Sequence, residues 1–195
     1  DSMDDVLVKI REAGITLKAG CGIGYEWSTL RPRDSYVAGA GATTSGPLSF
    51  MDIYDRMCFT ISSAGGRRGA QMGTFDVQHP DVEDFIKAKR EDGRLRQFNL
   101  SLLITDEFVE AVKADTEFPL VFPYPETGTT TKDLANAYWR HWPGSENYIT
   151  DDEGKVACKI YKTIRAVDLW NTIMQSTYDF AEPGFLLIDK INKDN

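Results

Sequence analysis

Four glycines and two adjacent arginines crowd into Ser62-Ser63-Ala64-Gly65-Gly66-Arg67-Arg68-Gly69-Ala70-Gln71-Met72-Gly73. Glycine lets main-chain N–H groups approach a ligand closely, and a planar guanidinium matches phosphate oxygens two at a time. That combination suits a small anion, above all a nucleotide phosphate. The plain alternative is a glycine helix stop followed by two solvated arginines, and the residues alone leave both open. Arg31 and Arg33 add to the basic cluster on a chain whose formal charge is −8. One small anionic ligand fits that balance. A DNA or RNA polymer, which needs many phosphate contacts, does not.

Other motifs narrow the chemistry. Gly20-Cys21-Gly22-Ile23-Gly24 lacks the third glycine of a dinucleotide fingerprint, so its plain reading is a tight turn at a helix end. There is no G-x-x-x-x-G-K-[ST], no H-E-x-x-H and no G-x-S-x-G. Cys21, Cys58 and Cys158 form no C-x-x-C and leave an odd thiol, a usage that suits a reducing cytosol. Cys58 and Cys158 read as buried structural thiols. His79, ahead of Pro80, reads as a turn residue or helix cap, and His141 as surface packing. Neither combines with the scattered cysteines into a zinc site. The acidic runs 107–115 and 151–153 read as solvated faces.

The elements that must position these residues follow from periodicity. Met3, Val6, Leu7, Ile10, Ala13 and Leu17 fall at helical spacing, with Ser2 and Asp5 as a capping pair. Gly14 interrupts that helix at a cost of ~1 kcal/mol relative to alanine. A glycine turn and a short extended segment over 23–27 come next, then a long loop over 30–46. Pro47 opens a second helix through Leu48, Met51, Tyr54, Cys58 and Ile61, which Gly65 or Gly66 ends. Beyond it, strands are expected at 73–77, 98–104, 120–122 and, buried, 185–188. Helices are expected at 80–89, after the Thr105 cap, and around Val167, Trp170, Ile173 and Met174. Asp92-Gly93 reads as a turn. Asp151-Asp152-Glu153-Gly154 reads as a hairpin turn between 148–149 and 156–161. Strands alternating with helices predict an α/β fold with a largely parallel sheet.

At 195 residues the chain suits one domain with a real core. No apolar run approaches the ~20 residues a spanning helix needs. The opening Asp-Ser-Met-Asp-Asp has none of the basic-then-apolar character of a secretory leader.

Several runs together carry a family resemblance. They are Lys18-Ala19-Gly20-Cys21-Gly22-Ile23-Gly24-Tyr25, Ser28-Thr29-Leu30-Arg31-Pro32-Arg33, Ser45-Gly46-Pro47-Leu48-Ser49-Phe50-Met51, the Gly-Gly-Arg-Arg-Gly-Ala loop, His79-Pro80-Asp81 and Glu182-Pro183-Gly184. In order and spacing they closely resemble the α chain of ribonucleotide reductase, over residues 1–112 and 166–195. The double-arginine loop and His-Pro-Asp are most similar to the adenosylcobalamin-dependent class.

The resemblance implies a piece of a longer chain. Residues 1–73 would carry effector and dimerisation helices with the specificity loops, and 74–195 the first half of a ten-stranded α/β barrel. The parent would reduce ribonucleotides, as di- or triphosphates, to deoxyribonucleotides by radical chemistry in the cytoplasm, with adenosylcobalamin contacted mostly outside this chain. The radical cysteine would lie beyond Asn195 and one redox cysteine before Asp1, so the isolated piece would be inactive. On the family pattern Asp1 falls on the aspartate that binds the sugar of the effector, a dNTP or ATP, with Ser2 beside it. Arg31 falls on the phosphate-holding arginine of the first specificity loop. A second basic residue of that loop in some relatives is Ala38 here, which leaves Arg33 or a second subunit to complete the grip.

Gly65, Gly66, Arg67 and Arg68 match the second specificity loop. Gly22 would present backbone to the substrate ribose, and Gln71 and Met72 could touch a substrate base. The plain reading of Gln71 and Met72 is a strand entry with no ligand. A homodimer is implied, its two N-terminal helices pairing across a two-fold axis into a four-helix bundle. The rival reading is a non-catalytic nucleotide-binding or dimerisation module.

Overall fold

Ser2 caps the first helix as its spacing to Asp5 predicts. Its Oγ accepts the Asp5 N–H at 3.1 Å and donates to the Asp5 carboxylate at 2.6 Å. The computed structural model describes residues 2–37, 39–65, 69–90, 94–143 and 148–194. In chain order the elements are α1 (Met3–Lys18), β1 (Ile23–Glu26), β2 (Tyr36–Val37), β3 (Ala42–Thr43), α2 (Pro47–Gly65), β4 (Gln71–Asp76) and α3 (Val82–Lys87). They continue with β5 (Phe98–Ile104), α4 (Asp106–Ala114), β6 (Glu117–Pro123), α5 (Thr131–Ala135) and β7 (Tyr138–Arg140). The last four are β8 (Val156–Arg165), α6 (Ala166–Phe180), β9 (Gly184–Leu187) and α7 (Ile188–Lys193). No helix among the described residues is long and apolar enough to cross a membrane.

Pro47 is the first residue of α2, where its fixed φ and missing N–H cost nothing. Gly14, unfavourable for α1 by propensity, is explained by α2. A Cβ at Gly14 would lie 3.3 Å from Ile61 Cδ1 and 3.5 Å from Met57 Sδ. The glycine lets the two helices approach.

Four parallel strands form a sheet in the order β1-β4-β5-β9. Because side chains alternate along a strand, the register divides them between two faces. Tyr25, Phe75, Phe98, Leu100, Leu102 and Ile104 point to one face and pack into a core with Met51 and Tyr54 of α2, Phe85 of α3 and Leu169 and Ile173 of α6. The other face carries Gly24, Glu26, Met72, Thr74, Asn99 and Ser101, half-buried or exposed. One face is roofed by helices, and the other is more open along these residues but covered at Asp76 and Leu103.

The mixed α/β class with a parallel sheet is borne out, with three differences. Residues 120–122 do not join the parallel sheet. They belong to β6, in a separate antiparallel sheet of order β6-β8-β7. The 30–46 segment is no plain loop, since β2 and β3 pair within it as a short hairpin. Nor is β9 a buried strand. It lies at the sheet edge, with Phe185 46% and Leu187 44% exposed. The turn expected at Asp92-Gly93 lies outside the described residues.

Arg140 ties the antiparallel sheet to the parallel one. From β7 its two terminal nitrogens reach the two Asp76 carboxylate oxygens at the end of β4, at 2.9 and 2.7 Å, with both side chains buried. A bidentate pair of this kind fixes orientation as well as distance.

Candidate functional site

A cavity of about 560 Å³ opens between the start of α1, the segment leading into the β2–β3 hairpin, and the antiparallel sheet. Ser2, Arg31, Tyr36, Tyr148, Lys159 and Tyr161 line it, with Asp5 and Asp34 as its acidic members. Cavities of this size hold small organic ligands, and this one offers cations, aromatic faces and carboxylates together. Arg31 Nη1 donates to the Tyr36 carbonyl at 3.4 Å. The Ser35 and Tyr161 hydroxyls stand 3.4 Å apart, which links the hairpin to β8. The Lys159 ammonium lies 5.1 Å from the centre of the Tyr161 ring, a cation–π contact.

Buried polar groups hold the Arg31 segment in place. His79, fully buried just after β4, has Nε2 3.0 Å from the Leu30 carbonyl, while its Nδ1 accepts the Asp81 N–H at 3.0 Å. Burial pushes its pKa down to about 4, against the smaller opposing pulls of the Leu30 carbonyl and Asp76. The ring is therefore neutral near pH 7, and these partners require the proton on Nε2. His79 is the turn residue its sequence context suggests, with the added task of anchoring the residue before Arg31. At the other end of the segment Gly46 has φ of +84°, and a Cβ there would lie 3.0 Å from the Arg33 nitrogen. Only glycine fits that closure.

A second polar chain runs behind the site. Ser28 Oγ donates to Glu26 Oε1 at 2.6 Å and accepts the Asp76 N–H at 2.5 Å. Burial raises the Glu26 pKa to about 7, against the hydrogen bonds from Ser28 that lower it. The buried thiols at Cys58 and Cys158 match the structural reading, and burial lifts Cys158 to about 12.

The family model of the ribonucleotide reductase barrel domain matches residues 1–195. The chain belongs to the ribonucleotide reductase family. It is 32% identical, over its full length, to a vitamin B12-dependent ribonucleoside-diphosphate reductase of Thermoplasma acidophilum, of which it spans 21%. To the protein of that name from Mycobacterium tuberculosis it is 34% identical and spans 24%. A ribonucleoside-diphosphate reductase subunit alpha of Helicobacter pylori is 27% identical over the whole chain. The chain thus spans less than a quarter of these curated reductases.

Of the positions that the reductase resemblance assigns, Ser2 and Arg31 meet in the one cavity. Arg33 does not join them. Its guanidinium pairs with Asp84 at 2.8 Å and its N–H donates to the Asp81 carboxylate at 2.8 Å. Gly22 is exposed just ahead of β1, where a Cβ would sit 3.5 Å from the Ala70 carbonyl. Gln71 turns away from the open face of the sheet. Its side chain points to the helix-covered face, 1% exposed, with Oε1 accepting from the Tyr25 hydroxyl at 2.9 Å and Nε2 facing the Tyr54 carbonyl at 3.4 Å. Strand alternation turns Met72 to the open face instead. Gly65 is the last residue of α2. Asp1, Gly66, Arg67 and Arg68 lie outside the described residues.

Sequence reasoning missed Tyr36, Tyr148, Lys159 and Tyr161. The only local signal is the run Lys159-Ile160-Tyr161-Lys162, in which cations and an aromatic share a strand. It becomes meaningful only once β8 is seen beside Arg31.

Proposed function

We propose that this chain is the specificity-site and substrate-floor portion of a ribonucleotide reductase that makes deoxyribonucleotides by radical chemistry. The cavity beside Arg31 would hold the effector, a dNTP or ATP. One observation carries this reading. Ser2, at the start of α1, and Arg31, after β1, line the same cavity, and the resemblance gives both to the effector. Arg31 would meet phosphate through charge-assisted bonds, and the tyrosines would flank the base or sugar. The open face of the parallel sheet, with Gly24, Met72, Thr74, Asn99 and Ser101, would form part of the substrate floor. Gly22 would offer backbone at its rim.

The parent would use adenosylcobalamin, which supplies the radical that starts the chemistry. His79 has both ring nitrogens committed inside the protein and so offers no ligand to a corrin. On the family resemblance the cofactor's contacts would lie mostly outside this chain, and the isolated chain is expected to be inactive. A homodimer would bury the apolar groups that α1 and α2 leave outside, among them Leu7, Val8, Ile15, Ile53 and Phe59, each about half exposed or more.

Calorimetry with dTTP and dATP tests the site. Arg31→Ala should weaken binding by about tenfold or more, since a charge-assisted bond contributes ~1.5–3 kcal/mol and each decade is ~1.4 kcal/mol. Arg68→Ala, judged from sequence alone, should do the same, and Arg68→Lys should restore binding only partly. Unchanged affinity in both alanine variants would end the effector reading. A full-length reductase carrying this segment that makes no deoxynucleotide would favour a non-catalytic module.

A further inference from the structure

An effector triphosphate needs more positive charge than one guanidinium supplies, and the hairpin segment holds little more. Arg33 is spent on Asp84. From Asp34 to Gly46 the sequence contains no lysine or arginine. Arg67 and Arg68, which the resemblance gives to the effector, lie outside the described residues; among the described residues the other cation that lines this cavity is Lys159. We propose that Lys159 of β8 is the second phosphate-binding cation of this site, reaching the ligand from the antiparallel sheet while Arg31 reaches it from the opposite wall.

Four observations support this assignment. Lys159 and Arg31 line the same cavity, although the segments that carry them are far apart in sequence. Lys159 makes no ion pair within 4 Å among the described residues; the Asp133 carboxylate feels its charge from farther off. Lys159 lies over the Tyr161 ring, whose hydroxyl faces Ser35 of the hairpin, so the aromatic face favours an ammonium on this side of the cavity. Its strand neighbour in register is Phe122, largely buried and itself part of the cavity lining. A lysine acts as a point charge that fits phosphate without demanding a planar geometry. Asp5 and Asp34, the acidic members, would repel phosphate and suit sugar hydroxyls instead.

The inference rests on the effector reading above and is testable apart from it. Binding of dTTP, dATP, thymidine and inorganic triphosphate to the 195-residue chain would be measured for the wild type, Lys159→Ala, Lys159→Arg and Arg31→Ala. Lys159→Ala should weaken dTTP and dATP by about tenfold, and inorganic triphosphate by a similar factor. Thymidine, which has no phosphate, should be unaffected, and Lys159→Arg should keep most of the affinity. Lys159 is exposed, so these variants should melt with the wild type, which keeps a binding loss separate from unfolding. If Arg31→Ala weakens dTTP while Lys159→Ala binds as the wild type does, Lys159 is a surface lysine and the inference is overturned with the effector site intact. If Lys159→Ala weakens thymidine as much as dTTP, the residue acts on the base or sugar and the phosphate role is wrong. If the wild type binds no triphosphate, or neither variant changes its affinity, the effector reading itself falls.

Discussion

The two sheets of this chain are stabilised by different means. The parallel sheet rests its helix-facing side on a large apolar core, in which Phe75, Phe85, Phe98 and Phe108 are almost wholly buried. The antiparallel sheet has a small cluster of its own, Val121, Phe122, Trp142, Val156 and Cys158, lends Phe118 and Leu120 of β6 to the large core, and is oriented on the first sheet by the Arg140–Asp76 pair. Apolar burial is non-directional and tolerates repacking, whereas a buried ion pair specifies one geometry and is costly when half of it is lost. The candidate site lies along that second, more directional junction.

The largest effect should come from the apolar core. Phe75→Ala should lower stability by ~3–5 kcal/mol in urea unfolding. A loss near zero would mean that the parallel sheet is not the dominant core. Next, Arg140→Met should cost about 3 kcal/mol, because Asp76 would stay buried without its partner. Adding Asp76→Leu should recover much of that. Hydrogen exchange should show where the first of these changes acts, with faster exchange in β7 and β8 than in β4 and β5. Uniform acceleration across both sheets would dissolve the distinction between them.

A smaller effect appears with pH. His79 has a folded pKa near 4, below its ordinary 6.5, so its contribution is full above about pH 6.5 and is lost as pH falls towards 4. Glu26 runs the other way. Its folded pKa near 7 exceeds the ordinary 4.5, so its contribution is full below about pH 4.5 and is lost as pH rises through 7. Between pH 4.5 and 6.5 the two slopes oppose each other. Glu26→Gln should unmask the histidine term, giving stability that rises with pH over this window by on the order of 2 kcal/mol. A flat profile in that variant would show that His79 is not held neutral by the junction.

The smallest effect should be at the cap. Ser2→Ala should cost ~1 kcal/mol or less and fray only the start of α1, read as faster exchange at Asp5 and its neighbours. A larger, global loss would mean that the first turn of α1 is coupled to the whole fold rather than fraying by itself.

Elements whose signals are local were legible in the sequence. The 98–104 strand and the Thr105 cap fall where alternation and capping chemistry place them, with Thr105 Oγ1 accepting the Phe108 N–H at 3.2 Å. The capping pair at Ser2, the proline start of α2 and the structural thiols were equally readable, because each depends on residues within a turn or two. The glycine–arginine loop and the neighbouring motifs were enough to indicate the reductase family.

The tertiary structure decided what depends on distant partners. Residues 120–122 have strand character by sequence, but which sheet they join depends on β8, whose pairing spans a long excursion of the chain. Gln71 and Met72 are adjacent and equally plausible as ligand contacts, and only the strand's register sends one into the core and the other to the open face. Arg33 looks like Arg31 in sequence, and in space it pairs with a carboxylate from α3 while Arg31 lines the cavity. Lys159 carries no signal of its own, since a lysine's chemistry is set by what stands opposite it. Propensity, capping and turn chemistry are short-range and written in order along the chain. Burial, charge pairing and the sharing of a cavity are set by distances in space, which the sequence encodes only through the fold.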